Sequence, residues 1–76
     1  MEINVTLHGI LRDYLPRKAK GKIMLDLPIG TTVDDVVRQL NIKQNVSAAV
    51  NGVEVENNHV LQAGEELHLF RFIAGG

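Results

Sequence analysis

Apolar and polar residues alternate strictly over residues 2–8. Ile3, Val5 and Leu7 face one way; Glu2, Asn4, Thr6 and His8 face the other. That period of two predicts a half-buried strand. Residues 22–27 repeat it, with Ile23, Leu25 and Leu27 set against Lys22, Met24 and Asp26. The stretch between them, Gly9 to Gly21, is too long for a tight hairpin. Its apolar set of Ile10, Leu11, Tyr14 and Leu15 predicts a helical turn that Pro16 stops.

After Pro28-Ile29-Gly30-Thr31-Thr32 the period changes. Val33, Val36, Val37 and Leu40 fall at i, i+3, i+4 and i+7, one face of a helix. Thr32 is its expected N-cap, and Asp34 and Asp35 suit the positive end of the helix dipole. Asn41 can close the helix in a left-handed conformation. Valine is a mediocre helix former, so this helix depends on packing its apolar face against a sheet. Residues 46–50 predict a short strand. Asn51-Gly52 predicts a type I′ turn, which needs positive φ at both central residues, and residues 53–55 return from it. Leu61 is a candidate core plug, Ala63-Gly64-Glu65 a turn, and residues 66–72 a last strand with Leu67 and Leu69 inward.

The predicted order is β-β-α-β-β-β. One helix across one face of a mixed sheet buries a single core, an α+β arrangement suited to a short chain. We assign residues 1–72 to the folded domain and residues 73–76 to a flexible tail. At 76 residues, a chain buries only about 60% of its unfolded surface, so there is room for one domain and little else. There is no Trp, one Tyr and two Phe, so the core must be aliphatic. The formal net charge of −1 steers the chain toward neither nucleic acid nor membranes. No apolar run is long enough for a spanning helix, and no signal peptide is visible, which makes the cytoplasm the expected location. The absence of cysteine excludes disulfides, thiolate metal sites and a thiol that carries persulfide. No nucleophile-base arrangement or phosphate loop is present, so the chain is not expected to be an enzyme.

The remaining candidate chemistry lies in Gly75-Gly76. Two adjacent glycines occur by chance at roughly 0.5% of positions. A glycine backbone threads a narrow channel because it has no Cβ and a free φ. Four residues beyond Phe72 reach about 13 Å when extended, enough to enter a pocket while the body docks outside. A terminal carboxylate is inert to nucleophiles until it is activated, for example as an acyl adenylate.

Several stretches together resemble a known family. They are the alternating first strand, Leu11-Arg12-Asp13-Tyr14-Leu15-Pro16, the segment Pro28 to Asp35 that leads into the helix, Val50-Asn51-Gly52, Leu61 to Leu67, and the final Ala74-Gly75-Gly76. Over nearly the whole chain they resemble the MoaD/ThiS family of ubiquitin-like β-grasp sulfur carriers. The resemblance implies a sheet of four to five strands packed on one main helix. It implies that an E1-like adenylyltransferase of the MoeB/ThiF type consumes ATP to adenylate Gly76. Sulfur from a cysteine-desulfurase relay then makes a C-terminal thiocarboxylate, with Gly75 and Ala74 as the threading tail and no cofactor bound. It also implies delivery to a synthase large subunit of the MoaE type, alternatively the ThiG type. The long first loop resembles MoaD-like members, so molybdopterin synthesis is the leading destination; thiamin thiazole, tRNA and other metabolites remain alternatives. Ubiquitin is similar in length and ending but carries Arg before its glycine pair. Ala74 stands there in this chain, which weighs against a protein modifier without removing it as an alternative.

If Leu67 and Leu69 face the helix, Phe70, Phe72 and His68 share the opposite face. Exposed aromatics there predict a partner-docking patch, unless the Gly9–Gly21 loop folds over them. Arg71 has inward parity but lies near the sheet end, where it can pair with an acidic partner or snorkel. His8, His59 and His68 share no metal-ligand spacing. His8 and His68 become outer-face neighbours if the first and last strands pair, as they do in a β-grasp. Arg17, Lys18, Lys20 and Lys22 form the one run of charge, which can contact an acidic partner or RNA but is most simply a solvated loop. No aromatics are interleaved with it, and no direct nucleic-acid binding is expected.

Overall fold

The computed structural model describes residues 1–72. Its strands are β1 (Glu2–Leu7), β2 (Lys22–Asp26), β3 (Val46–Val50), β4 (Val53–Val55) and β5 (Glu66–Arg71), with one helix, α1 (Val33–Gln39). They form a single five-stranded sheet in the order β2-β1-β5-β3-β4. β1 and β5 run parallel at its centre; every other pair is antiparallel. The first and last segments of the domain therefore lie side by side, and the β-grasp arrangement expected from the sequence is present.

Alternation decides which face is buried. Ile3, Val5 and Leu7 of β1 meet Leu67 and Leu69 of β5 on the inner face, all almost wholly inaccessible. Val33 and Val36 of α1 pack into the same core. Thr32 caps the helix as expected: its Oγ1 accepts the Asp35 N–H at 3.2 Å, and an Asp35 carboxylate oxygen accepts the Thr32 N–H at 3.0 Å. This reciprocal box satisfies two otherwise orphaned donors. The Thr32 backbone bond, then Arg38 and the Thr32 hydroxyl, hold the Asp35 carboxyl below its ordinary pKa. Asn41 ends the helix at φ 59°.

The β3–β4 hairpin turns at Asn51 (φ 51°) and Gly52 (φ 84°), the two positive values that a type I′ turn requires. Leu61 fills the core as expected. The connection from β1 to β2 holds more than one helical turn. It contains two 3-10 helices, Gly9–Tyr14 and Arg17–Ala19, separated by Pro16. Its apolar residues Leu11 and Leu15 are buried in the core, so the loop closes an end of the inner face.

Candidate functional site

The outer face of β5 carries the aromatic groups that the sequence singled out. His68 and Phe70 lie on it, flanked by Thr6 on β1 and by Ser47 and Ala49 on β3. Small neighbours leave the larger rings standing above the sheet. Phe70 is 40% exposed and Phe72, just past the strand, 50%. The loop from Gly9 to Gly21 does not cover them, because Leu11 and Leu15 anchor it in the core. Arg71 is exposed at the end of β5, opposite Val46.

Parallel pairing of β1 with β5 brings His8 beside His68. Their Nε2 and Nδ1 atoms are 2.8 Å apart, a hydrogen bond between the rings. His8 also lies flat on Phe70, with ring centroids 4.4 Å apart and planes 6° from parallel. The sequence pointed to the His8–His68 contact. The stack on Phe70 was not legible there, because it depends on where β1 ends and the chain turns away. Burial first, then the neighbouring His68 and Arg12, push the His8 pKa below its ordinary value. Neutral His8 is therefore favoured, which suits an apolar stack.

Arg12 is placed by a glycine. Gly21 has φ 77°, and a Cβ there would fall 2.7 Å from the Leu7 carbonyl oxygen and 2.9 Å from Arg12 Cγ. The missing side chain lets the Arg12 stem lie across the backbone at the end of β1. Phe72 is tied by its N–H to the Asn45 carbonyl at 2.8 Å. With Asn45, Ser47, Glu54, Glu56 and Asn57 it lines an open hollow of 620 Å³ beside β4. Among the described residues, no three His, Cys, Asp or Glu side chains gather into a group that could hold a metal. None of the described helices is long and apolar enough to cross a membrane.

The expected reactive group, Gly76, and the threading residues Gly75 and Ala74 lie outside the described residues. The structure does place the last ring, Phe72, at the end of β5 from which the chain continues toward them.

The sequence profile of the ThiS family matches residues 5–76. The chain belongs to the ThiS family. Solved structures share its fold at low sequence identity. SAMP1 from Haloferax volcanii aligns over 100% of both chains with a TM-score of 0.72 at 18% identity. A molybdopterin converting factor subunit 1 from Pyrococcus furiosus aligns over 96% of this chain and 99% of its own, with a TM-score of 0.75 at 19% identity. A molybdopterin-converting factor chain from Helicobacter pylori, solved as a complex of subunits 1 and 2, covers 100% of both with a TM-score of 0.63 at 15% identity. No curated protein matches the sequence significantly. This ThiS-family chain thus has the ubiquitin-like β-grasp fold that these solved structures share.

Proposed function

We propose that this ThiS-family chain carries sulfur as a thiocarboxylate on Gly76. The observation that supports this most is the reach of the family match, which runs through Gly75-Gly76. The exposed rings of Phe70 and Phe72 immediately before the tail support it further. A partner that grips them holds the domain while the chain beyond Phe72 enters its active site.

The chemistry belongs to the partners. An E1-like adenylyltransferase of the MoeB/ThiF type would bind ATP. The Gly76 carboxylate attacks the α-phosphorus, pyrophosphate leaves, and an acyl adenylate forms. A sulfide equivalent then displaces AMP to give the thiocarboxylate. If the donor is a persulfide, a thiol reduces the acyl disulfide formed first. Transfer of the sulfur to an acceptor, with water replacing it, restores the carboxylate. With no cysteine in the chain, sulfur has no side-chain thiol to ride on, and the backbone carboxyl is the remaining carrier. The reaction draws on cellular ATP, which fits work in the cytoplasm.

The leading destination is molybdopterin, with this chain as the small subunit beside a MoaE-type large subunit. The likeness to molybdopterin converting factor subunit 1, and to a chain solved with its subunit 2, supports this reading. Thiazole synthesis with a ThiG-type partner and tRNA thiolation use the same carrier chemistry. The second reading is a protein modifier joined through Gly76 to lysine, favoured by the likeness to SAMP1, another chain of this size and fold. Docking falls to Phe70, Phe72 and His68, with Arg71 at the strand end.

Intact-mass measurement tests the proposal. Incubation with the activating enzyme, ATP and a sulfur donor should add the mass difference between sulfur and oxygen. Deletion of Gly75-Gly76 should abolish the gain. An unchanged mass for the full chain overturns the carrier reading, and ladders on denaturing gels would favour the modifier.

A further inference from the structure

Strand directions sort the charges of this molecule by end. β5 runs parallel to β1 and antiparallel to β3. The connection after β1, the start of β2, the start of β3 and the exit from β5 therefore share one end of the sheet. Arg12, Arg17, Lys18, Lys20 and Lys22 lie in the β1–β2 connection or directly after it. Lys43 is held beside that connection, its backbone N–H donating to the Tyr14 hydroxyl at 3.2 Å. Arg71 ends β5. Seven of the eight Lys and Arg side chains thus gather at the end where the chain continues past Phe72. All seven are exposed, and among the described residues none forms a salt bridge. Glu2, Asp26, Glu65 and Glu66 stand at the opposite end, where Glu2 pairs with Asp26 and Glu66 with Asn4.

The exit end is also polarised from side to side. Arg12, Arg17 and Lys20 line a hollow of 490 Å³ between the two 3-10 helices, with Asp13 as its one acid. Across the exit, Glu54 and Glu56 line the hollow beside Phe72. A net charge of −1 conceals this separation of cations from acids along the sheet.

We propose that the cationic β1–β2 connection docks against an acidic rim at the mouth of the activating adenylyltransferase's tail channel, and so steers the domain in tail-first. The inference rests on the carrier reading above. Continuity carries it: a channel that receives the chain beyond Phe72 must face this end, and the exposed cations surround one side of the exit. Complementary charge raises the rate and fixes the orientation of encounter more than it raises final affinity. That benefit suits an enzyme that must meet and release the carrier in every cycle. Nucleic acid fits less well. Its phosphates would run on past the loop to Glu54 and Glu56. The exposed Phe72 lies on that acidic flank, one face of Phe70 is taken by His8, and Tyr14, the ring within the cationic connection, is packed against the core with its hydroxyl accepting the Lys43 N–H, so no ring stands fully exposed among the cations for base stacking.

The test is adenylation kinetics with the full chain, wild type against Arg17→Glu/Lys18→Glu, across a range of salt. Both residues are exposed on the second 3-10 helix, and circular dichroism checks that the variant folds. At low salt the variant should lose about tenfold or more in kcat/KM, through KM and with kcat kept. Wild-type kcat/KM should fall as salt rises, and the variant's should stay nearly flat. If the double variant does not fold, Arg17→Gln/Lys18→Gln should show the same pattern at smaller amplitude. Equal kcat/KM and equal salt dependence overturn this inference and leave the carrier reading intact. Failure of the wild type to be adenylated overturns the carrier reading and this inference with it. Retention of a single-stranded RNA oligomer by wild type but not by the variant, at physiological salt, overturns it in favour of nucleic acid.

Discussion

Leu69 and Phe70 are adjacent on β5, yet Leu69 is completely buried and Phe70 is 40% exposed. The difference follows from strand geometry, because successive side chains point to opposite faces. On the inner face, α1 and the β1–β2 connection supply a second layer over the sheet. On the outer face there is no second layer among the described residues, only the ring of His8 folded onto Phe70. One face of the strand therefore holds the domain together, and the other is left for contact. The carrier role proposed above would use both properties, and β5 supplies them from alternate residues.

The sharpest way to break this comparison is to shorten one side chain on each face. Leu69→Ala removes a buried side chain that touches the core from the centre of the sheet. It should cost about 2–5 kcal/mol, the range for such truncations, which is a large share of the stability of so small a domain. Urea unfolding measures it. Phe70→Ala removes a larger side chain but should cost less than Leu69→Ala: about 0.5–1.5 kcal/mol for the aromatic stack, plus the transfer term for only the covered part of a ring that is 40% exposed. The same variant should bind the activating enzyme more weakly while its fold persists. If Phe70→Ala destabilises as much as Leu69→Ala, the outer face is a second core and the division of labour fails.

The inner face was the more legible of the two in the sequence. Alternation at Ile3, Val5 and Leu7, the helical spacing of Val33, Val36 and Val37, and the Asn51-Gly52 turn each rest on local rules, and the structure follows them. The β1–β2 connection was less legible. A 3-10 helix has three residues per turn and leaves no long apolar stripe, so Gly9–Tyr14 and Arg17–Ala19 gave only a hint of helix. Ile42, just past the helix, also joins the core without belonging to any periodic pattern. On the outer face, the exposure of Phe70 and Phe72 followed from parity alone. The His8–Phe70 stack did not, because His8 lies beyond the end of β1 and its direction is set by the turn into the loop. Nor was the charge separation visible. A run of cations from Arg17 to Lys22 is a loop feature in sequence. It becomes an exit feature only when parallel pairing puts that loop beside the end of β5.

The smallest expected effect concerns the outer face alone, and it depends on pH. His8 is held below its ordinary pKa, by burial first and then by His68 and Arg12. Other charges near the pair are Lys22 and Glu66, which share an outer-face hollow with both histidines. The hydrogen bond between the rings needs one donor and one acceptor, so protonating both rings would set N–H against N–H. Because the folded pKa of His8 is depressed, the unfolded chain takes up a proton there before the folded chain does. The stability that neutral His8 contributes is thus complete above about pH 6.5 and is lost as pH falls through its lowered folded value. The carboxyl of Asp35 is also depressed, but its contribution is lost only at more acidic pH, within and below the carboxylate range. Comparing urea midpoints at about pH 7.5 and about pH 5 should show a drop in wild type. The drop should be smaller in His8→Gln, which keeps a polar side chain but cannot take up the charge. The contrast between the two drops reads the His8 position together with its contact to His68. Equal drops would mean that the outer-face stack tolerates the charge, and that His8 does not tie the stability of this face to pH.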